Sequence, residues 1–183
     1  METITKNDVK VWALDPTHSS IQFAAKHMVI SQTKGSFGDY KLKVETNGID
    51  FVNAKIELEI DVNSINTGMA DRDNHLRSAD FFNIAQFPSI KFISKSVSEI
   101  NDEEYRLIGD ISIKGITKSI EFIVNYGGQV IDPWGNIRTG FTLEGSINRF
   151  DFGLTWNTLL EAGHAVVGKV VKLHAEIEII TPK

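Results

Sequence analysis

Four sets of residues in this 183-residue chain could do chemistry by type and spacing. Gly163-His164-Ala165-Val166-Val167-Gly168-Lys169-Val170 matches the phosphate-binding pattern G-x-x-x-x-G-K-[ST] up to its lysine. Such a loop turns a helix N-terminus onto phosphate oxygens and offers magnesium a hydroxyl after the lysine. Val170 has no hydroxyl and Lys169 begins an alternating stretch, so the match reads as a turn entering a strand. Asp71, Asp73, His75 and Asp80 could hold a hard cation, but an EF-hand loop begun at Asp71 puts Leu76 where the turn needs Gly and Phe82 where the bidentate Glu belongs. Helix capping and ion pairs with Arg72 or Arg77 account for the same charges. The five histidines, His18, His27, His75, His164 and His174, include no H-E-x-x-H pair. His27 is in phase with Ile21, Phe23 and Ala25, which suits a core histidine. Ser19-Ser20 beside His18 lacks the G-x-S-x-G elbow of a nucleophile, and Asp15-Pro16-Thr17-His18-Ser19 reads as a side-chain-capped turn. No catalytic residue and no metal ligand are expected.

Composition narrows the classes further. A net charge of -5 with no basic run disfavours a nucleic-acid partner, because attraction to phosphates supplies most of that affinity. With no cysteine there is no disulfide, thiolate nucleophile or thiolate metal site. The apolar runs fall far short of the ~20 residues of a membrane helix, so no transmembrane segment is expected. Met1 to Asp8 lacks the basic start and apolar stretch of a secretory signal, which predicts a cytoplasmic protein.

The elements that must position any site are strands. Ala54, Ile56, Leu58, Ile60 and Val62 alternate with Lys55, Glu57, Glu59 and Asp61, giving one dry face and one wet face. The same period recurs around Ile21–Ala25, Tyr40–Val44, Tyr105–Ile113, Ile116–Val124 and Val167–Ile179, and more weakly over 89–98 and 138–147. Turns are expected at Asn47-Gly48, Gly127-Gly128, 132–136 and Glu161-Ala162-Gly163. This predicts an all-β fold over 1–183, a single domain with an antiparallel closed barrel of about eight strands. Alternation stops over 63–88, where one or two short helices are expected, the clearest over 71–79. A connection of that length is usually a lid, plug or binding loop. Eleven phenylalanines, with Phe81, Phe82 and Phe87 in that connection, suit either a packed or a hollow barrel.

Several separated blocks are similar to one family. They are Asp15-Pro16-Thr17-His18-Ser19-Ser20-Ile21-Gln22-Phe23, His27 with Ser31, Gly35-Ser36-Phe37, Asn63 to Gly68, Arg72 to Phe82, Phe87 to Phe92, Leu107 to Lys118 and Arg149 to Leu154. In this order, over nearly the whole chain, they resemble the YceI-like, polyisoprenoid-binding family. The resemblance implies a lipocalin-like barrel around a long isoprenoid or quinone-type lipid, often in a homodimer, without cofactor or catalytic set. On it, the expected ligand-binding positions are Ile21, Phe23, Phe37, Ile56, Leu58, Ile60, Phe92, Ile111, Phe122 and Leu143, with Phe81 and Phe82 capping the mouth. The expected partner is a long-chain isoprenoid lipid, bound for transport, storage or sensing. A ligand of about forty heavy atoms at ~0.3 kcal/mol each would gain about 12 kcal/mol. The alternatives are an enzyme acting on a small apolar substrate near His27, and a packed dimeric scaffold in a stress response.

Overall fold

A computed structural model describes residues 9–159 and 166–182. The strands, in chain order, are β1 (Val9–Leu14), β2 (Ser20–His27), β3 (Ser31–Phe37), β4 (Tyr40–Asn47), β5 (Asp50–Asp61), β6 (Ile65–Asn66), β7 (Ser89–Asn101), β8 (Glu104–Ile113), β9 (Ile116–Ile131), β10 (Asn136–Asn148) and β11 (Val167–Pro182). One α-helix, α1 (Ala70–Arg77), lies between β6 and β7. Every pairing is antiparallel. The ring runs β1, β4, β5, β7, β8, β9, β10, β11 and closes where Ala13 and Leu14 of β1 meet Ile180 and Ile179 of β11. Eight strands thus form the closed barrel. The others arise because two long staves are broken: β1 and β2 both pair with β11, and β3 passes through Gly38-Asp39 into β4. β6 adds two residues to the free side of β3.

Alternation sets the walls. In β5, Lys55, Glu57 and Glu59 face solvent while Ala54 and Ile60 are buried. The turn expected at Asn47-Gly48 is present, with Gly48 at φ 66° joining β4 to β5. Gly127-Gly128 is not a turn. Both glycines lie inside β9, where three steps from Tyr126 to Gln129 oppose two from Phe141 to Thr139, and Gly128 takes φ 95°. The pair is a β-bulge, which uses the same positive-φ tolerance as a turn and bends the strand without reversing it. Glu161-Ala162-Gly163, like Gly163 to Ala165 of the phosphate-loop match, lies outside the described residues.

The break between β1 and β2 is stapled by charge. Arg138 of β10 donates from Nη1 to Asp15 Oδ2 and Glu178 Oε1, each at 2.7 Å, and from Nε to Asp132 Oδ2 at 3.0 Å. Asp15 also accepts from the Thr17 amide and hydroxyl, the capped turn that its sequence suggests. Those hydrogen bonds from Thr17, with Arg138 and His18 beside it, hold the Asp15 carboxyl well below the usual carboxylate range. Burial works to raise Asp132, but donors from Asn136, Arg138 and Trp134 outweigh it and lower its pKa. Asp15, His18 and Glu178 converge closely enough to suggest a cation site, but the two carboxylates are already engaged by the Arg138 guanidinium and His18 contacts Asp15.

Candidate functional site

The barrel has a floor and a lid. The floor lies among the β4–β5, β7–β8 and β9–β10 turns, where Trp12, Phe51, Tyr126 and Phe141 close the interior. Phe51 sits 5.1 Å from Trp12 and 4.8 Å from Phe141 between ring centroids. Trp12 is 1% exposed and satisfies its indole N–H on Thr46 Oγ1 at 2.8 Å. Burial raises the pKa values of Tyr105 and Tyr126 in this cluster.

The lid is the 63–88 connection. Its helix α1 carries Asp71 and Asp73 in the first turn and His75 and Arg77 in the last, complementing the helix dipole. Its β6 segment pairs with β3, and polar residues brace the rest of the connection on that base. Asp73 accepts from the Thr67 amide and hydroxyl, Arg72 donates to Thr67, and Arg77 donates to the carbonyls of Asn63 and Ile65. His75 hydrogen-bonds Asp80 at 2.9 Å within the same connection, so these side chains are engaged with one another. Its apolar side turns inward: Leu76, Phe81 and Phe82 reach the interior, and Phe81 stacks with His75 and Trp156. One α-helix is present in the connection, preceded by a single 3-10 turn at Val62–Ser64.

Between floor and lid lies an apolar cavity of about 210 Å3, to which the described side chains present only carbon. Every position expected to contact a ligand, from Ile21 of β2 to Leu143 of β10, together with Phe81 and Phe82, lies on its wall. The void also explains a burial pattern. Phe23, Leu42, Ile56, Leu58, Leu143 and Ile177 point inward yet are only partly buried, because they face empty space. A second apolar chamber of about 80 Å3 lies toward the floor. Leu42, Ile56, Leu107, Leu143 and Ile177, one each from β4, β5, β8, β10 and β11, line both chambers and form a collar between them.

Three inward glycines keep the interior open. A Cβ on Gly35 would overlap the Phe23 ring, one on Gly109 the Phe92 ring, and one on Gly145 the Phe122 ring. Each ring therefore lies along the wall over a neighbouring strand's glycine, and space is left on the axis. Of these wall positions, Gly35, Ile90, Leu107 and Gly109 fall inside the blocks that resemble the family, while Leu42, Gly145 and Leu173 fall in the alternating runs alone. None of the seven is among the expected ligand contacts.

Polar groups stand at the rim. Arg149, 3% exposed, donates to the carbonyls of Leu154, Trp156, Val167 and Gly168, tying the segment before β11 to that strand. Burial lowers its pKa. His27, the residue around which an enzyme for a small apolar substrate would be built, is half-buried at the end of β2, opposite Ser31 and Val167. It is at the rim of the barrel and not in its centre.

Residues 12–179 match the YceI-like domain. A UPF0312 protein of Staphylococcus aureus (strain MSSA476) is 40% identical over 168 residues, covering 91% of this chain and 95% of that protein. The Campylobacter jejuni YCEI protein superposes with a TM-score of 0.74 at 30% identity, covering 86% of this chain and 90% of that one. A polyisoprenoid binding domain from Saccharophagus degradans superposes with a TM-score of 0.66 at 17% identity, covering 93% and 98%, a likeness of fold. Since the matched span takes in all of the barrel except the outermost residues of its first and last strands, the chain belongs to the YceI-like family.

Proposed function

We propose that the protein binds a linear isoprenoid lipid inside the barrel and releases it without chemical change. The observation that carries this reading is a cavity walled by carbon, under a lid whose inner face is also apolar. A catalytic site needs a few polar groups converging on a reacting atom. Arg149, the buried cation nearest the cavity, directs its donors to backbone carbonyls. The polyisoprenoid-binding domain of like fold adds support for the ligand class.

Size adjusts the expectation. A void of about 150 Å3 takes a benzene-sized molecule, so the main chamber as it stands holds only part of a long chain. A twenty-carbon chain at about 0.3 kcal/mol per atom gains about 6 kcal/mol, which corresponds to tens of micromolar. A forty-carbon chain gains about twice that and must part the collar to enter the second chamber. On the same proposal the protein acts as a homodimer in the cytoplasm, which sedimentation and cell fractionation check. Native mass spectrometry with organic extraction of the purified protein tests the ligand: a co-purifying isoprenoid, or uptake of added geranylgeraniol, is expected. The absence of both co-purification and uptake would sink the reading.

A further inference from the structure

The β2–β3 hairpin ends in a turn made of three successive apolar residues. Met28, Val29 and Ile30 are 37%, 55% and 87% exposed, between the paired residues His27 and Ser31. Met28 and Val29 have φ of 49° and 67°, the left-handed region that favours Gly or Asn and that a β-branched valine resists. Neither property helps the fold. Bare apolar surface and backbone strain concentrated in one turn indicate selection for something the turn contacts. The turn is also held firmly, since the Met28 amide donates to the Val166 carbonyl at 2.9 Å.

Its surroundings indicate what that contact is. The pairings place Lys172 of β11, Ala24 of β2 and Lys34 of β3 in one row on the outer face, with Lys26 one row nearer the tip. All three lysines are exposed. Positions 16–38 contain no Asp or Glu, and neither does β11 from Val167 to Ala175, in a chain whose net charge is -5. The depletion of acid is local to this face: the floor turns carry Asp50, Asp102 and Glu103, all exposed, and the exposed acids of the lid, Asp71 and Asp80, lie on the separate 63–88 connection. Positive charge is thus collected behind the apolar tip at the lid end, where Ala25 and Val167, close to the turn, already line the cavity.

We propose that Met28-Val29-Ile30 is a membrane-docking tip. It enters the boundary between headgroups and acyl chains of an anionic bilayer, while Lys26, Lys34 and Lys172 lie against the phosphates. Apolar residues backed by lysines are the combination that holds a protein at such a surface. Docking sets the lid end of the barrel against the membrane, where a lipid would enter or leave. That purpose rests on the lipid-binding reading, but docking itself requires no ligand.

The test is co-sedimentation of the full chain with phosphatidylcholine vesicles containing about 30% phosphatidylglycerol, against phosphatidylcholine alone. Partitioning onto the anionic vesicles should be at least tenfold stronger and should collapse in about 0.5 M salt. The double variant Val29→Gly/Ile30→Ser, which removes apolar surface and relieves the left-handed strain, should lose about tenfold. Lys26→Glu/Lys34→Glu should lose a similar factor. Circular dichroism and the yield of extracted lipid per protein should be unchanged in both variants. Equal partitioning onto the two vesicle types, or full binding by the glycine–serine variant, overturns the proposal. So does a dimer that dissociates in that variant with no vesicle binding by the wild type, since the tip would then serve a second copy of the chain. If docking follows the expected pattern while no lipid is extracted or taken up, the ligand reading fails and the docking surface stands.

Discussion

The two ends of the barrel are closed by opposite means. At the floor, Trp12, Phe51, Tyr126 and Phe141 come from the barrel strands themselves, and their rings meet edge and face. At the lid, closure is by a separate connection: α1 and the turns after it lay Leu76, Phe81 and Phe82 over the cavity and are braced on the β6 segment by hydrogen bonds from Arg72 to Thr67, from Arg77 to Ile65 and from Thr67 to Asp73. A floor built into the ladder can open only if strands part. The part of the lid beyond β6, held to its base mainly by side chains, can lift while the ring stays whole, since such regions open at lower free energy than the core. The difference assigns access to one end and stability to the other.

The floor should show the largest effect. Trp12→Ala removes a fully buried indole and leaves Thr46 without its donor, so a loss of about 4 kcal/mol is expected, read by urea titration. At about 2–4 °C per kcal/mol, this lowers Tm by roughly 12 °C. If stability fell this far and lipid exchange rates at low temperature stayed the same, the division between ends would hold. If exchange instead became fast, the floor would be a second entrance.

Phe82→Ala tests the other end. Phe82 is only partly buried, so a cost of about 2 kcal/mol is expected, together with about tenfold faster release of a fluorescent isoprenoid by stopped flow. A change in stability without a change in release rate would mean that the connection is a plug and not a lid.

How much of this could be read from residues differs between wall and ends. The period of two over Ala54 to Val62 is enough to place one dry face, because the pleat forces it, and the same rule put Ile21, Phe92, Ile111 and Phe122 on the interior wall. Gly127-Gly128 misled, since a bulge and a turn make the same demand on φ. Closure was expected only from the count of about eight strands, and the pairing that achieves it was not visible. It depends on β11 being long enough to pair with β2 along most of its length and with β1 at its end, a non-local match that leaves no local pattern. Hollowness was visible in principle, in inward Gly35, Gly109 and Gly145, but only once their neighbours across the strands are known. Arg138 and Asp132, across one turn, join Asp15 and Glu178 from distant places in the chain, which spacing does not reveal.

Gly35→Ala separates openness from stability. The new Cβ would overlap the Phe23 ring and come within 2.9 Å of Thr67 Cγ2, both of which are side-chain ends that can yield. The ring should swing into the cavity, costing about 1 kcal/mol in stability and about tenfold in geranylgeraniol affinity by calorimetry. Gly109→Ala should behave differently, because its Cβ would also overlap the Ile93 carbonyl, a backbone atom that cannot swing away. Destabilisation exceeding that of Gly35→Ala is expected there. If Gly35→Ala left affinity unchanged, the space beside Phe23 would not belong to the binding site.

Acid should give the smallest effect, and it acts between the two ends, at the seam where β11 exchanges β1 for β2. The folded pKa values of Asp15 and Asp132 lie below their unfolded values, so the folded state is the one that holds these carboxylates ionised. Their contribution is complete above about pH 5 and is lost progressively as the pH falls through the unfolded value near 4 and below. A drop of a few degrees in Tm is expected from the seam on going from pH 6 to pH 3. Asp15→Asn/Asp132→Asn should start lower at pH 6 and fall less steeply, converging on the wild type in acid. A double variant that kept the full wild-type slope would show that the acid sensitivity lies outside the seam.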